Sequence, residues 1–373
     1  MSRSATHRSP SMIFIHPSDE LYGADRMLLE FCDALGPVRL RDAEFWLPTD
    51  LDHVERPLCE VLERRGATVR HLDLPIIRRA YRKPRALAQL ATRMVRLRRE
   101  LRSVRPRLIY CTTSTTFLCA PIARWGSNAT VLGHVQELWS PADARVLGPL
   151  SRCCHSMLAI SDAVVSPLPG RVRERTTVVA NGTPEPDSYE PIGTRSGRLE
   201  YLVASRWNSW KGHATLLAAW DKATGPRRLT VLGGPPTSGA GTDVEALRAR
   251  LADPASVDIV GEVPDIDPYI LRTEVMVVPS DKPEPFGLVA IEAFARGRPV
   301  VGSDAGGLSS IVTHGVDGWL YPPGDTAALA KILSELTHES VARAGQAARA
   351  TYEANYTSER FAERWLPLVA GRE

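Results

Sequence analysis

Glu284 and Glu292 enclose seven residues that include Pro285-Phe286-Gly287. Two acids at that spacing could grip hydroxyl groups or work as an acid–base couple. On one continuous helix their backbones would lie about 12 Å apart, whereas a retaining glycosidase needs its carboxyl groups roughly 5 Å apart. The stretch does not read as one helix. Val275 to Val278 is short, β-branched and without polar alternation, which predicts a buried parallel strand. Pro279, Pro283 and Pro285 exclude helix from the turn, and Gly287 permits an unusual backbone angle before Leu288 to Ala295 resumes a helical pattern. The first amides of that helix, from Phe286 to Val289, have no intrahelical partner and carry the positive end of the dipole, so they suit a phosphate. Acids beside a phosphate make sense as acceptors for sugar or ribose hydroxyls. The plainer alternative is a capped helix carrying a solvated glutamate.

Other candidates lie at further strand ends. Arg206 and Lys211, in the segment SRWNSWKGH, follow an apolar strand from Tyr201 to Ala204 and precede a helix from about Ala214. Two cations at such a turn can neutralise a diphosphate, the arginine as a planar fork and the lysine as a point charge, or they can be solvated surface charges. Gly306-Gly307 opens another helix and gives a second place for backbone amides to approach oxygens. His134, in HVQELW, ends a predicted strand, where its side chain would emerge into a crevice or remain a satisfied core histidine. Gly23, in the first strand-to-helix turn, lets the backbone approach a ligand or is a plain loop glycine. Asp265 and Asp267 spell D-x-D, a possible metal motif, but they follow a proline before a short helix and suit N-capping better. No required metal is expected.

These turns need a scaffold, and the chain supplies one. Apolar strands are expected at Ser11–His16, Ala43–Leu47, Ala67–Leu72, Leu108–Cys111, Thr130–Val135, Met157–Ile160 and Thr177–Val179. Helices are expected at about Arg26–Leu35, His53–Arg65, Pro84–Val104 and Phe117–Arg124. A second series follows, with strands at Tyr201–Ala204, Leu229–Gly233, Asp258–Val263, Val275–Val278 and Pro299–Ser303. Such alternation predicts α/β architecture with parallel sheets covered on both faces. The 373 residues exceed the usual single core, so two domains are expected. The divisions are a flexible tail over 1–10, a first domain over 11–185, a proline-marked linker after Asn181-Gly182, a second domain over 192–350, and a terminal helical segment over 351–373 that returns to the first domain.

In this order and spacing the motifs resemble the family-4 retaining glycosyltransferases, whose GT-B fold sets two Rossmann-like domains with parallel sheets facing a central cleft. The likeness runs from Ser11 to about Leu366 and is strongest from Tyr201 to Asp325. It implies transfer of a sugar from a nucleotide diphosphate sugar, UDP- or GDP-linked, to an acceptor hydroxyl with retention of configuration, without metal or other cofactor. Arg206 and Lys211 would hold the diphosphate and Glu292 the ribose. Glu284 would hold the sugar hydroxyls, with Gly23, Phe286, Gly287, Leu288 and Val289 completing the donor site. The resemblance places His134 near the donor sugar, and Glu137 and Trp139 on the acceptor side. The acceptor would be a glycan or lipid-linked glycan of the cell envelope, or an exopolysaccharide. Competing readings are a sugar-nucleotide epimerase on the same fold, a non-catalytic nucleotide-binding module and a basic-patch interaction protein. A dinucleotide dehydrogenase is disfavoured because no G-x-G-x-x-G follows the first strand.

Composition narrows the setting. Hydrophobic content of 43% with 24% charge describes a soluble globular protein, no apolar run approaches the roughly 20 residues of a membrane span, and the polar first ten residues lack a signal-peptide core. A cytosolic location follows. Six cysteines show no zinc-type spacing, so reduced, mostly buried thiols are expected. The net charge of +3 hides an asymmetry: Arg78 to Arg107 holds twelve Lys/Arg against Glu100 alone. Leu87, Leu90, Met94, Leu97, Leu101 and Val104 give that helix an apolar face, so Arg93, Arg96, Arg99 and Arg102 should point outward. With Arg78, Arg79, Arg82, Lys83 and Arg85 they would form a cationic patch for an anionic membrane surface. Nucleic acid is disfavoured, since Tyr81 is the one aromatic nearby.

Overall fold

The computed structural model describes residues 10–51, 56–78, 84–193, 197–236 and 239–372. The chain forms two compact units, Met1–Asn181 with Ser358–Glu373, and Gly182–Thr357.

The first unit holds strands β1 (Met12–Ile15), β2 (Ala43–Pro48), β3 (Thr68–Leu72), β4 (Leu108–Cys111), β5 (Thr130–Val135), β6 (Ser156–Ala159) and β7 (Thr176–Val178). They form one sheet in the order β3-β2-β1-β4-β5-β6-β7, and every pairing is parallel. The order reverses between β1 and β4, the switch point at which an open α/β sheet leaves a crevice beyond its carboxyl ends. β1 and β4 are buried throughout, as unbroken apolar runs must be when helices cover both faces. The final helix, Ser358–Val369, belongs to this unit. It lays Phe361, Trp365 and Val369, spaced by four, against helix Gly23–Leu40. Trp365 stacks on Phe31 at 5.0 Å between centroids and donates to Tyr110 Oη at 3.0 Å.

The second unit holds β8 (Leu199–Ala204), β9 (Arg227–Leu232), β10 (Val257–Gly261), β11 (Val275–Val278), β12 (Val300–Ser303) and β13 (Gly318–Tyr321), in the order β10-β9-β8-β11-β12-β13, again all parallel. Its core gathers Tyr201, Val203, Leu216, Trp220, Val277, Val301, Leu329 and Val341. Full burial of such side chains is worth roughly 1.5–3 kcal/mol each. Here the switch point lies between β8 and β11.

Local departures have local causes. The first helix starts earlier than its apolar periodicity, at Gly23, because Asp25 accepts from the Tyr22 amide at 2.9 Å and caps it. It breaks at Gly36, whose φ of 65° precedes Pro37. The helix expected from His53 is Pro57–Arg64; residues 53–55 lie outside the described residues. Helix Pro141–Ser151 was not anticipated, although Ser140 and Asp143 form its capping box.

The expected cationic patch is corrected in part. Arg93 is nearly buried between Asp50 at 2.7 Å and Asp73 at 2.6 Å, Arg96 pairs with Asp73 at 2.7 Å, and Arg78 pairs with Asp50 at 3.1 Å. Acids on neighbouring segments therefore neutralise this end of the stretch. Arg99 and Arg102 are exposed. Arg79, Arg82 and Lys83 lie outside the described residues, as does the side chain of Arg85. All six cysteines are free, five of them buried. Among the described residues no helix is long and apolar enough to cross a membrane.

Candidate functional site

Three turns at the carboxyl ends of the adjacent strands β8, β11 and β12 are stitched together in the second unit. After β8 the chain makes a short 3-10 turn, Ser209–Lys211, and enters helix His213–Lys222 through Gly212. Gly212 has φ 73°, and a Cβ there would stand 1.9 Å from the Pro279 carbonyl oxygen; only glycine fits. The Asp281 amide donates to Trp210 O at 2.8 Å, and Thr215 Oγ1 donates to Asp281 Oδ1 at 2.8 Å. The turn after β12 is bound in the same way. The Gly307 amide donates to Glu284 O at 2.7 Å, and a Cβ at Gly307 would lie 2.3 Å from Phe286 O.

Within this frame Lys211 Nζ donates to Glu284 Oε1 at 2.7 Å. Glu284 is 6% exposed and also accepts from the buried Ser280 hydroxyl. Lys211 lies over the Trp210 ring, 4.3 Å from its centroid, a favourable cation–π contact. Gly287, with φ 112°, caps helix Leu288–Ala295. Leu288 and Val289, half-buried, head that helix, where free amides and the dipole favour an anion. Phe286 is 4% exposed and meets Tyr356 edge-on at 6.2 Å, so it packs and contributes only its backbone to the turn. Glu292 is half-buried on the second turn of the helix. Arg206 is half-buried in the loop after β8, where Trp207 N donates to Gly234 O at 2.8 Å and holds that loop against the end of β9.

His213 was missed by sequence reasoning. It is 1% exposed, and its pKa is pushed down to about 4 by burial, with Lys211 adding to the shift. It is therefore a neutral imidazole beside the lysine. Its only sequence signal is its place as the first helical residue after Lys-Gly. Asp265 and Asp267 behave as a cap: Asp265 Oδ1 accepts from the Asp267 amide at 3.0 Å, and Asp267 pairs with Arg296.

The candidates of the first unit are placed differently. His134 does not emerge from the sheet: it is 0% exposed, with Nδ1 2.9 Å from Tyr110 Oη and its ring 5.7 Å from that of Phe31. Burial drives its pKa down to about 3. The alternation of β5 points it into the aromatic core. Gln136, just past the strand, donates to Thr112 O at 2.8 Å. Trp139 is also a core residue, 5% exposed, donating to Ser114 Oγ at 2.8 Å and packing edge-on against Phe117. Glu137 accepts from the Ser114 and Gln136 amides, each at 3.3 Å, while burial raises its pKa. Both therefore hold the Ser114–Thr116 turn. Gly23 is exposed at the first position of its helix. The Asp25 carboxylate already caps that end.

Spacing also concealed a cluster. Asp19, Cys59 and His71 bring ligand atoms within 4.8 Å of one another from three separate elements. Asp19 ties the cluster internally, accepting from the Cys59 amide at 2.8 Å and lying 2.8 Å from His71 Nε2.

Residues 186–354 match the family model for glycosyl transferases group 1. The chain is 33% identical over 205 residues to the D-inositol 3-phosphate glycosyltransferase of Xylanimonas cellulosilytica, a match covering 54% of this chain and 45% of that protein. It is 34% identical over 143 residues to the amylovoran biosynthesis glycosyltransferase AmsK of Erwinia amylovora, covering 35% of each. The match thus spans less than half the length of these relatives. Among solved structures, Anabaena Alr3699/HepE in complex with UDP-glucose superposes with a TM-score of 0.81 at 22% identity, over 96% of this chain and 99% of that one. Sucrose-phosphate synthase from Thermosynechococcus elongatus gives 0.76 at 20% identity, over 96% and 98%. The architecture is accordingly GT-B, two Rossmann-like α/β domains, and residues 186–354 of the second carry the match to glycosyl transferases group 1.

Proposed function

We propose that this chain is a retaining glycosyltransferase that moves a sugar from a nucleotide diphosphate sugar, UDP- or GDP-linked, to an acceptor hydroxyl. The observation that carries the reading is the Lys211–Glu284 pair, set beside the amide end of helix Leu288–Ala295. A cation, a carboxylate and a helix dipole at one strand edge suit a pyrophosphate flanked by hydroxyls. Lys211, Arg206 and the amides of Gly287 to Val289 would take up the charge that develops on the departing diphosphate, which is electrostatic stabilisation preorganised by the fold. As the diphosphate engages Lys211, Glu284 becomes available to accept from sugar hydroxyls, with Glu292 serving the ribose. The charges at hand suffice for this role, so the reading asks for no metal and no cofactor beyond the sugar nucleotide.

The UDP-glucose complex of Anabaena HepE supports the donor class. The relative named for amylovoran biosynthesis and the exopolysaccharide phosphotransferase of Streptomyces coelicolor, 31% identical over 172 residues, support a glycan or lipid-linked glycan acceptor. We place the enzyme in the cytosol, with its basic segment meeting an anionic membrane surface.

A panel of UDP- and GDP-sugars, incubated with and without glycan acceptors, tests the reading through release of free nucleoside diphosphate. Acceptor-dependent release that falls in Lys211→Ala supports transfer. Conversion of the sugar with donor alone would mean an epimerase. Equal activity of wild type and Lys211→Ala on every donor would dismiss the site.

A further inference from the structure

We propose that a recess in the first unit, at the amino-terminal edge of β4 and β5, is a binding site for phosphate esters, built by Arg102, Arg105, Arg107 and Arg372. The recess has a volume of about 810 Å³, and no acid lines it. Arg102, Arg105 and Arg107 make no ion pair among the described residues. This contrasts with Arg78, Arg93 and Arg96 of the same basic stretch, which are matched to Asp50 and Asp73. Glu100, the one acid within the stretch, is engaged by Arg70 at 3.0 Å. Positive charge is thus compensated at one end of the helix and left for a ligand at the other.

The backbone is shaped for this convergence. Arg105 has φ 54° and is the only non-glycine residue with positive φ among those described, a conformation that a side chain disfavours. It turns the chain from helix Pro84–Val104 into β4, and Arg105 and Arg107 line the same recess as Arg102. The Arg107 amide donates to Ser11 O at 2.8 Å, and Arg107 O accepts from the Thr130 amide at 2.7 Å, fixing the rim. Arg372 arrives from the far end of the sequence, its guanidinium donating to Ser156 Oγ at 2.6 Å. Ser127 and Asn128 add polar lining. Of these cations Arg372 also acts on His155, whose pKa is lowered first by burial, then by Arg124 outside the recess and by Arg372. Planar guanidiniums match phosphate oxygens in pairs. A soluble phosphate ester and an anionic lipid headgroup present the same chemistry to this recess.

The test uses the full chain carrying Lys211→Ala, to weaken pyrophosphate binding at the second unit, with inorganic pyrophosphate as calorimetric probe. Vesicles of phosphatidylcholine with and without phosphatidic acid serve as the lipid probe. Arg105→Gly keeps the left-handed turn while deleting its charge, and Arg102→Ser/Arg107→Ser removes two more. Each lost guanidinium should weaken pyrophosphate binding about tenfold with the thermal midpoint of Arg105→Gly unchanged or raised. Arginine-dependent sedimentation with phosphatidic acid assigns the headgroup. Arginine-dependent pyrophosphate binding without sedimentation assigns a soluble ester. Variants that bind both probes like the parent, or a parent that binds neither, overturn the proposal.

Discussion

Lys211 Nζ stands 2.7 Å from Glu284 Oε1, with the carboxylate side chain 7% exposed and the lysine 21%. The two residues come from turns after different strands, so their pairing joins the β8 and β11 turns into one platform. The same contact also sets an equilibrium for a ligand: an incoming diphosphate competes with Glu284 for the ammonium, and sugar hydroxyls compete with the ammonium for Glu284.

Lys211→Ala should therefore register in both stability and turnover. It leaves Glu284 nearly buried with Ser280 as its remaining side-chain donor, a loss of about 1–3 kcal/mol once the partial exposure of the lysine is allowed for. Adding Glu284→Gln removes the orphaned charge and should recover part of that loss, which a double-mutant cycle by urea denaturation reads directly. Turnover should fall by about 10²–10³, the usual effect of deleting one oxyanion-type partner. An unchanged kcat would remove Lys211 from leaving-group stabilisation.

Gly212 and Gly225 separate crowding from backbone preference. Both have positive φ, 73° and 92°, but a Cβ at Gly212 meets Pro279 O at 1.9 Å while one at Gly225 meets nothing within 4 Å. Gly225→Ala should cost about 1 kcal/mol, the left-handed penalty alone. Gly212→Ala should cost about 3 kcal/mol or more, because the β8 and β11 turns must separate. Calorimetric midpoints that shift equally would show that the close approach is not rigid.

Much of this was legible in the sequence, and the failures are instructive. Val275–Val278 and Leu288–Ala295 were placed to the residue because β-branched strand, prolines and Gly287 leave one consistent reading. Leu108–Cys111 and Thr130–Val135 also fall where expected; the other strand ends drifted by one or two residues, since register pairing and not propensity decides where a ladder stops. His134 and Trp139 were misplaced because a polar or aromatic residue near a strand end reads alike whether it faces solvent or core; Tyr110, Phe31 and Ser114, distant in sequence, decide the matter. Of the arginines expected outward, Arg93 alone failed, and for the same reason: helical periodicity assigns it to a face, but only tertiary structure brings Asp50 and Asp73 to it, while Arg96, Arg99 and Arg102 are exposed as expected.

Glu30 should make the first unit less stable as pH rises. It is 6% exposed, accepts from Ser358 Oγ at 2.5 Å, and burial raises its pKa to about 7 from 4.5, Asp33 adding to the shift against the Ser358 hydrogen bond. A raised carboxyl pKa means that the unfolded chain releases this proton first. The stability present below pH 4.5 is then lost progressively up to about pH 7. Glu30→Gln keeps an acceptor for Ser358 and abolishes the titration. It should be nearly neutral at pH 4 and stabilising by about 2–3 kcal/mol at pH 8. Parallel wild-type and variant curves of urea midpoint against pH would refute the assignment.

His134 has the opposite sign. Its folded pKa of about 3 lies below its ordinary 6.5 because burial disfavours the imidazolium, so the unfolded chain takes up a proton that the folded core refuses. Stability is full above pH 6.5 and is lost as pH falls toward 3. His134→Gln retains an acceptor for Tyr110 Oη and removes the linkage, so the difference in stability between pH 7 and pH 4 should shrink by about 3 kcal/mol relative to wild type. His213, with its pKa near 4, supplies a similar slope from the second unit. The His134→Gln profile should therefore keep the His213 component, which only the double variant removes. An undiminished slope in His134→Gln would mean that the imidazole reaches water, and would return it to consideration as a group that handles protons near the sugar.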